Sequence, residues 1–291
     1  MDTQEILKKI RNLEIKTRMI VESTFTGEYH SVFKGRGISF SEVREYQMGD
    51  DVRQIDWNVT AKMGSPYIKL FEEERELTVI LMVDLSASGN FGSYEKAKSE
   101  IAAEIAAILG FSANNNKDKV GLILFSDQVE KSLSPKKGKD HVLHILREIF
   151  FYKPESKKTS IANALDYLVK TNKKKSIVFM ISYFLDSDYE KVTRLAAKKH
   201  DLIPIIIEDS HELELPKAGT QLLEDEETGE QLYINMSSNQ IRENFQNIVF
   251  ARQTEQDRFF RSINAPPVRI NINKPYLSEL RQYFKNRSKK R

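Results

Sequence analysis

The sequence predicts an α/β fold built on a doubly wound, mostly parallel sheet. Continuous apolar runs, without polar alternation, are typical of parallel strands that are covered on both faces. Stretches with helical periodicity separate these runs, and right-handed crossovers through such helices place successive strands in one sheet. The apolar runs lie at residues 78–83, 120–125, 177–181 and 202–207.

The helices between and before these runs follow the spacing of apolar residues. Residues 3–22 predict an amphipathic helix, because their apolar side chains recur three and four residues apart. Between the runs, helices are predicted at residues 93–113, 139–151, 159–171 and 187–199. Pro204 has no N–H to donate to a strand pair, so we expect the last run to lie at or near an edge of the sheet.

The chain divides into three predicted parts. Residues 1–75 combine the first helix with a polar, glycine-punctuated segment, which we expect to pack on the larger α/β domain of residues 76–235. That domain ends with a predicted hairpin whose turn lies at residues 225–230. Residues 236–291 form a C-terminal helical extension, with a helix at 238–263, a short strand at 268–272 and a helix opened by Pro275.

The amino-acid composition excludes several classes of function for this protein. The 291 residues include 45 basic and 42 acidic side chains, a net charge of +3 that gives no general affinity for nucleic acid. The local basic excess after residue 280 reads as a solvated terminus. Cysteine is absent, which excludes disulfides, thiolate metal sites and cysteine nucleophiles. A charged N-terminus and apolar runs far shorter than a bilayer span predict a cytoplasmic protein without a transmembrane segment.

The common enzyme motifs are missing from the sequence. It contains no Gly-x-x-x-x-Gly-Lys phosphate loop, no Gly-x-Ser-x-Gly elbow and no His-Glu-x-x-His pair. The five histidines are scattered, and the pair His141 and His144 lacks a third ligand nearby. We therefore expect a protein that is not an enzyme.

A candidate metal site follows the first apolar run. In a doubly wound sheet, ligands bind beyond the carboxyl ends of the strands, where the strand order reverses. The loop Asp84-Leu85-Ser86-Ala87-Ser88 presents one carboxylate and two hydroxyls there. Such hard oxygen ligands suit Mg²⁺ or Mn²⁺. Alternatively, Ser86 and Ser88 simply cap the loop and the helix that follows it.

This Asp-x-Ser-x-Ser motif resembles the metal-ion-dependent adhesion site (MIDAS) of von Willebrand factor A domains, which have a Rossmann-like fold. The resemblance implies that Thr159 is a further ligand of the metal. The sequence also departs from the MIDAS pattern. Tyr183 follows the third apolar run, at a position where the family commonly has an aspartate. The site thereby loses a negative charge unless Asp186, in the loop that follows, or an acidic group of a partner replaces it.

A second resemblance covers residues 37–57, 69–75 and 225–230. These segments are similar to the sequence signature of domain-of-unknown-function family 58 (DUF58), whose members often accompany MoxR-type AAA+ ATPases. The resemblance implies a von Willebrand factor A-like fold and a MoxR-type ATPase as protein partner.

Residues 37–57 are unusually rich in fixed charges. The segment is interpreted either as an internal ion-pair network that holds it on the α/β domain, with two aromatic side chains as packing anchors, or as a partner-docking surface. The first interpretation is favoured, since charges with matched neighbours more often hold loops in place. The residues concerned are Glu42, Arg44, Tyr46, Asp50, Asp51, Arg53, Asp56 and Trp57.

Together these features predict a non-enzymatic adaptor module. A divalent cation held by Asp84, Ser86, Ser88 and Thr159, with Asp186 as a further candidate, would accept an acidic side chain from the partner. One alternative is a metal-dependent hydrolase with Asp186 as general base. The other is a structural domain whose metal site is degenerate.

Overall fold

A computed structural model of the protein describes residues 11–15, 17, 19–21, 29, 32, 39–72, 76–93 and 96–289. The chain forms two compact units, Phe33–Leu77 and the combination of Met1–Val32 with Thr78–Arg291. Residues 3–10 of the first predicted helix lie outside the described residues, and residues 11–15 are helical. Gly27, Gly35, Gly37 and the last two basic residues also lie outside them.

The described residues of the unit 33–77 contain a two-stranded antiparallel sheet, a 3₁₀ turn at Val52–Gln54 and a short α-helix. Strand β1 (Ser39–Glu45) pairs with β2 (Tyr67–Glu72), and helix α1 (Trp57–Met63) lies between them in sequence. The Asp56 carboxylate caps α1 by accepting the N–H groups of Asn58 and Val59. The helix ends at Gly64, whose φ of 76° places it in the left-handed region that favours glycine.

The larger unit is built on a six-stranded sheet, which confirms the doubly wound prediction. The strands adopt the order β10-β7-β6-β3-β4-β5, and each neighbouring pair is parallel except β4 and β5. The first of these strands in sequence, β3, is therefore central. The bounds are β3 Thr78–Asp84, β4 Lys119–Phe125, β5 Val129–Lys136, β6 Ile177–Ser182, β7 Asp201–Glu208 and β10 Val268–Asn271.

The helices of the larger unit overlap the predicted segments, but several begin or end at different residues. Their bounds are α2 Lys98–Asn115, α3 Lys139–Phe151, α4 Ile161–Thr171, α5 Glu190–Lys199, α6 Ser210–Leu213, α7 Asn239–Ser262 and α8 Tyr276–Ser288. Helix α2 begins five residues later than predicted. The Ser93 N–H and hydroxyl both bond the Asp209 carboxylate, at 2.8 and 2.6 Å, and hold this residue outside the helix.

The core lies on both faces of the sheet. On one face, Met82 and Met180 pack with residues of α4, α5 and α7, among them Leu165 and Phe260. On the other face, Leu81 lies against α2 close to Gly110. Every residue of β6 is buried, as the continuous apolar run predicted.

The C-terminal part contributes a strand to the central sheet as well as helices. Strand β10 pairs with β7 from Ile205 onward, so the ladder begins just after Pro204. The expectation that Pro204 lies near an edge is thus confirmed, since β10 is the edge strand and stops short of the proline. The division of the chain into parts ending at residues 75 and 235 stays a prediction.

A separate hairpin precedes α7. Strands β8 (Thr220–Glu224) and β9 (Gln231–Asn235) pair antiparallel, as the sequence predicted. No helix in the described part of the chain combines the length and apolar character needed to cross a membrane.

Candidate metal centre

Asp84 ends the central strand β3 and is buried, with 2% of its surface exposed. Its Oδ1 accepts the Ser86 N–H at 2.9 Å, and its Oδ2 accepts the Ser182 hydroxyl at 2.6 Å. From β3 the chain continues to β4 on one side, while β6 lies on the other. Asp84 therefore stands at the carboxyl end of the sheet, at the point where the strand order reverses.

Burial raises the pKa of Asp84 to about 6, because the ionised form has lost most of its water. Hydrogen bonds from Ser182 and Ser86 oppose this rise, and the negative charge of Glu227 adds to it. The carboxylate thus lies in an environment that would favour a cation beside it.

Ser86 is buried next to Asp84, with 3% of its surface exposed. Its hydroxyl is near enough to lower the pKa of Asp84, yet it makes no hydrogen bond of good geometry within the described part of the chain. Ser86 precedes a 3₁₀ turn at Ala87–Asn90, but its side chain does not cap that turn. The capping interpretation is therefore wrong for Ser86, and its hydroxyl oxygen is left for another ligand.

Ser88 and Thr159 come from two different loops and converge on one atom. The Ser88 hydroxyl donates to Glu227 Oε1 at 2.6 Å, and the Thr159 hydroxyl donates to the same oxygen at 2.8 Å. The Thr159 N–H donates to Glu227 Oε2 at 3.0 Å. The Ser88 hydroxyl of the motif and the Thr159 hydroxyl that the resemblance implied thus lie together at Glu227.

Glu227 is the residue that the sequence did not single out. It lies in the turn of the β8–β9 hairpin, 68 residues from Thr159 and 139 from Ser88 along the chain. The turn was noted as part of the family signature, and its acidic run was a signal that one carboxylate has a role at the site. Which of the acids reaches it depends on how the hairpin folds back.

Tyr183 occupies the position where an aspartate was expected, and its ring lies behind the loop. The Lys98 Nζ is 4.7 Å from the ring centroid, and a Cβ placed on Gly89 would be 2.2 Å from the phenol oxygen. The hydroxyl points to the Asp84 carbonyl oxygen at 3.5 Å. Burial raises the pKa of Tyr183 well above its ordinary value, so the phenol is neutral and adds no charge to the site.

Asp186 supports the adjacent helix. One of its carboxylate oxygens accepts the Ile161 N–H at the start of α4, at 2.7 Å, and the other accepts the Ser187 N–H at 2.8 Å. Burial raises the pKa of Asp186, and the charge of Glu227 contributes to the rise. Its role as a metal ligand stays a prediction.

The residues fit a hard divalent cation by their chemistry. Three hydroxyls and two carboxylates, those of Asp84 and Glu227, gather near the end of β3, and the buried Ser86 hydroxyl makes no hydrogen bond of good geometry with any residue that the structure describes. Mg²⁺ and Mn²⁺ prefer such oxygen ligands. Within the described residues, no three His, Cys, Asp or Glu side chains form a metal-binding group, so the hydroxyls are essential to any such site.

The sequence comparison identifies the family. Residues 42–255 match the family described as "Protein of unknown function DUF58". The chain belongs to the DUF58 family. An uncharacterized protein of Mycobacterium tuberculosis is 26% identical over 289 residues, covering 98% of this chain and 91% of that protein. The uncharacterized protein YeaD of Bacillus subtilis is 30% identical over 110 residues, 38% of this chain and 25% of its own.

Solved structures share only a distant likeness with this DUF58 protein. The conserved hypothetical protein BatB from Bacteroides thetaiotaomicron is 15% identical, with a TM-score of 0.48, and the match covers 73% of this chain and 99% of that one. The VWA domain of SpRpn10 is 12% identical, with a TM-score of 0.33, over 46% of this chain and 76% of that one.

The charged DUF58 signature forms ion pairs within its own unit. Arg44 donates two hydrogen bonds to Asp50, at 2.8 and 2.7 Å, and the pKa of Asp50 is lowered by these bonds. Arg53 pairs in the same way with Asp51, at 2.9 Å. These pairs join residues close in sequence. The expected attachment of the segment to the α/β domain stays a prediction.

The remaining signature residues have separate roles. Asp56 caps α1 and lies 3.3 Å from the Lys69 ammonium group. The Tyr46 N–H donates to the Pro66 carbonyl at 2.8 Å. Trp57 is 68% exposed, and its role as a packing anchor stays a prediction. The side chain of Glu42 lies outside the described part of the structure.

Proposed function

We propose that this DUF58 protein is a non-enzymatic adaptor that binds a divalent cation at the end of β3 and uses it to hold an acidic side chain of a partner protein. The observation that carries the proposal is the convergence of the Ser88 and Thr159 hydroxyls on one carboxylate oxygen. Two loops that are far apart in sequence thus present oxygen ligands to the same point.

The cation would be held by Asp84, Ser86, Ser88 and Thr159, with Asp186 as a further candidate. Bound Mg²⁺ or Mn²⁺ would supply positive charge and an open coordination position for an acidic side chain. The chain's own residues orient the site: the Ser86 N–H and the Ser182 hydroxyl fix both oxygens of Asp84. The partner suggested by the family resemblance is a MoxR-type AAA+ ATPase.

A cleft beside the loop offers a surface for specificity. It has a volume of about 590 Å³, and its lining includes Leu85, Ser86, Asn90, Tyr152 and residues 154–157. A partner segment whose acidic residue reached the cation would run across this cleft.

The hydrolase alternative finds less support in the same residues. Its general base would be Asp186, but both carboxylate oxygens of Asp186 already accept backbone N–H groups. An oxygen occupied in this way is poorly placed to take a proton from water.

The test is recovery of the ATPase from the source cell with wild-type protein and the Asp84→Ala variant, each with magnesium and with chelator. We expect recovery only by wild type in magnesium. The matched control is Asp166→Ala, an acidic side chain of α4 that is 47% exposed and pairs with Lys170; it should behave as wild type. Equal recovery under every condition would remove the cation from the mechanism, and recovery of no ATPase would overturn the proposed partner.

A further inference from the structure

We propose that Glu227, at the tip of the β8–β9 hairpin, is an intramolecular ligand of the cation and replaces the carboxylate that Tyr183 fails to provide. This inference rests on the cation site of the proposed function. It adds a ligand from a structural element outside the loops that follow the central strands.

The hairpin holds Glu227 in a fixed turn. The Asp225 carboxylate accepts the N–H groups of Glu227 and Thr228, at 2.9 and 2.8 Å. The Asp225 N–H donates to the Glu230 carbonyl at 2.9 Å, and Gly229 has the positive φ of 73° that closes the turn. Such a closed turn presents the glutamate at little further cost in conformational entropy.

The distances around Glu227 match those between neighbouring ligands of one small cation. Two oxygens in adjacent octahedral positions, each about 2.1 Å from Mg²⁺, lie about 3 Å apart. Glu227 Oε1 is 2.6 Å from the Ser88 hydroxyl oxygen and 2.8 Å from that of Thr159. Glu227 Oε1 therefore lies at the spacing of neighbouring ligands from both hydroxyl oxygens, with which it forms hydrogen bonds in this structure.

Ser86 gives an independent indication of a ligand. Its hydroxyl is buried, lies close enough to the Asp84 carboxylate to lower the pKa of that group, and makes no hydrogen bond of good geometry in the described part of the chain. A buried hydroxyl without a well-formed hydrogen bond is destabilising, and coordination of a cation would satisfy it.

The charges also require a positive partner. Asp84 and Glu227 are both acidic, and Glu227 is close enough to act electrostatically on Asp84. No Lys, Arg or His among the described residues forms an ion pair with either carboxylate. A divalent cation between them would neutralise two like charges that otherwise repel.

The test is Mn²⁺ binding to the full chain, measured by electron paramagnetic resonance of the free ion. The variants are Asp84→Ala, Glu227→Gln and the control Glu226→Gln, which changes an exposed acid in the same turn. We expect one ion per wild-type chain, no binding to Asp84→Ala, at least a tenfold weaker affinity for Glu227→Gln, and an affinity within twofold of wild type for Glu226→Gln. Circular dichroism confirms that each variant is folded.

Amide hydrogen exchange gives a second test, which does not require a binding constant to be measured. Mg²⁺ should slow exchange at the Gly229 N–H in wild type, because a ligated Glu227 holds the turn, and it should leave exchange unchanged in Glu227→Gln.

The outcomes separate the inference from the proposed function. If Asp84→Ala loses the ion while Glu227→Gln binds it as tightly as wild type, or more tightly, Glu227 is not a ligand and the cation site stands. If Asp84→Ala still binds the ion at full affinity, or wild type binds none, the cation site falls and Glu227 falls with it.

Discussion

Gly89 and Tyr183 are in close contact behind the loop that carries Asp84. A Cβ on Gly89 would lie 2.2 Å from the phenol oxygen and 2.8 Å from the carbon that bears it. Tyr183 is itself buried, with 4% of its surface exposed, and has no free space to move into. The tyrosine that replaces an expected acid thus makes glycine necessary at position 89.

We predict that Gly89→Ala destabilises the protein by about 1–3 kcal/mol, the usual cost of overpacking. The measurement is urea unfolding. Gly219→Ala is the control, because nothing lies within 4 Å of a Cβ built there. The double variant Gly89→Ala, Tyr183→Phe should recover part of the loss, since it removes the nearest atom. A Gly89→Ala protein as stable as wild type would contradict the packing described.

His200 is a buried histidine, 2% exposed, whose ring nitrogens have no hydrogen-bond partner in the described part of the chain. Burial lowers its pKa, and the neighbouring Lys199 charge lowers it further. Below the unfolded pKa of about 6.5, the unfolded chain takes up a proton that the folded chain resists. Stability from this group is therefore present above that pH and is lost as the pH falls towards the folded pKa.

We predict that His200→Leu reduces the loss of stability between pH 7 and pH 5, measured by urea unfolding across that range. An unchanged acid dependence in His200→Leu would show that other groups cause it.

At the scale of elements, Arg269 ties the edge strand β10 to its neighbours. Its guanidinium donates to Glu208 on β7 at 2.6 Å and to Asp257 on α7 at 2.8 Å. The arginine side chain is only 22% exposed, so these bonds are partly shielded from water. One side chain thus joins three elements of the C-terminal region.

We predict that Arg269→Ala lowers the free energy of unfolding by about 1–3 kcal/mol, because it removes the closest cationic partner of two partly buried carboxylates. Arg261→Ala is the matched control. It also removes a partner of Asp257, but at 3.8 Å and with an arginine side chain 75% exposed, and should cost at most about 0.5 kcal/mol. Equal effects of the two variants in denaturant unfolding would contradict the role of Arg269.

The sequence predicted the buried strands better than the edges of the sheet. Strands such as β6 are apolar throughout because both faces are covered. Strand β5 was missed because its residues are half-buried or exposed and read Val-Glu-Lys-Ser-Leu-Ser-Pro-Lys, with no continuous apolar run. The strand near residue 268 was predicted, but not its pairing with β7, which depends on how α7 returns to the sheet.

The residues of the candidate site also differ in how far the sequence alone could predict them. Asp84, Ser86 and Ser88 follow a buried strand within one loop, so local sequence was enough to propose them. Thr159 required the resemblance to a known motif. Glu227 required the folded hairpin, because its contact with Ser88 joins residues 139 positions apart.

At the scale of the whole molecule, cation binding should raise the free energy of unfolding of the protein. At a magnesium concentration ten times the dissociation constant, binding stabilises the folded state by about 1.4 kcal/mol. For a chain of this size, that raises the melting temperature by about 2 °C. We predict this shift in wild type and in Asp166→Ala, and its absence in Asp84→Ala. A shift of the same size in Asp84→Ala would place the ion elsewhere.

The central claim is that oxygens from separate loops at the end of β3 hold one hard cation. The most direct measurement is a crystal structure of the protein grown with Mn²⁺, with anomalous scattering recorded to locate the ion. We predict one anomalous peak next to Asp84 and within about 2.3 Å of the Ser86, Ser88 and Thr159 hydroxyl oxygens. A map with no peak there, while the Ser88 and Thr159 hydroxyls remain bonded to Glu227, would contradict the account.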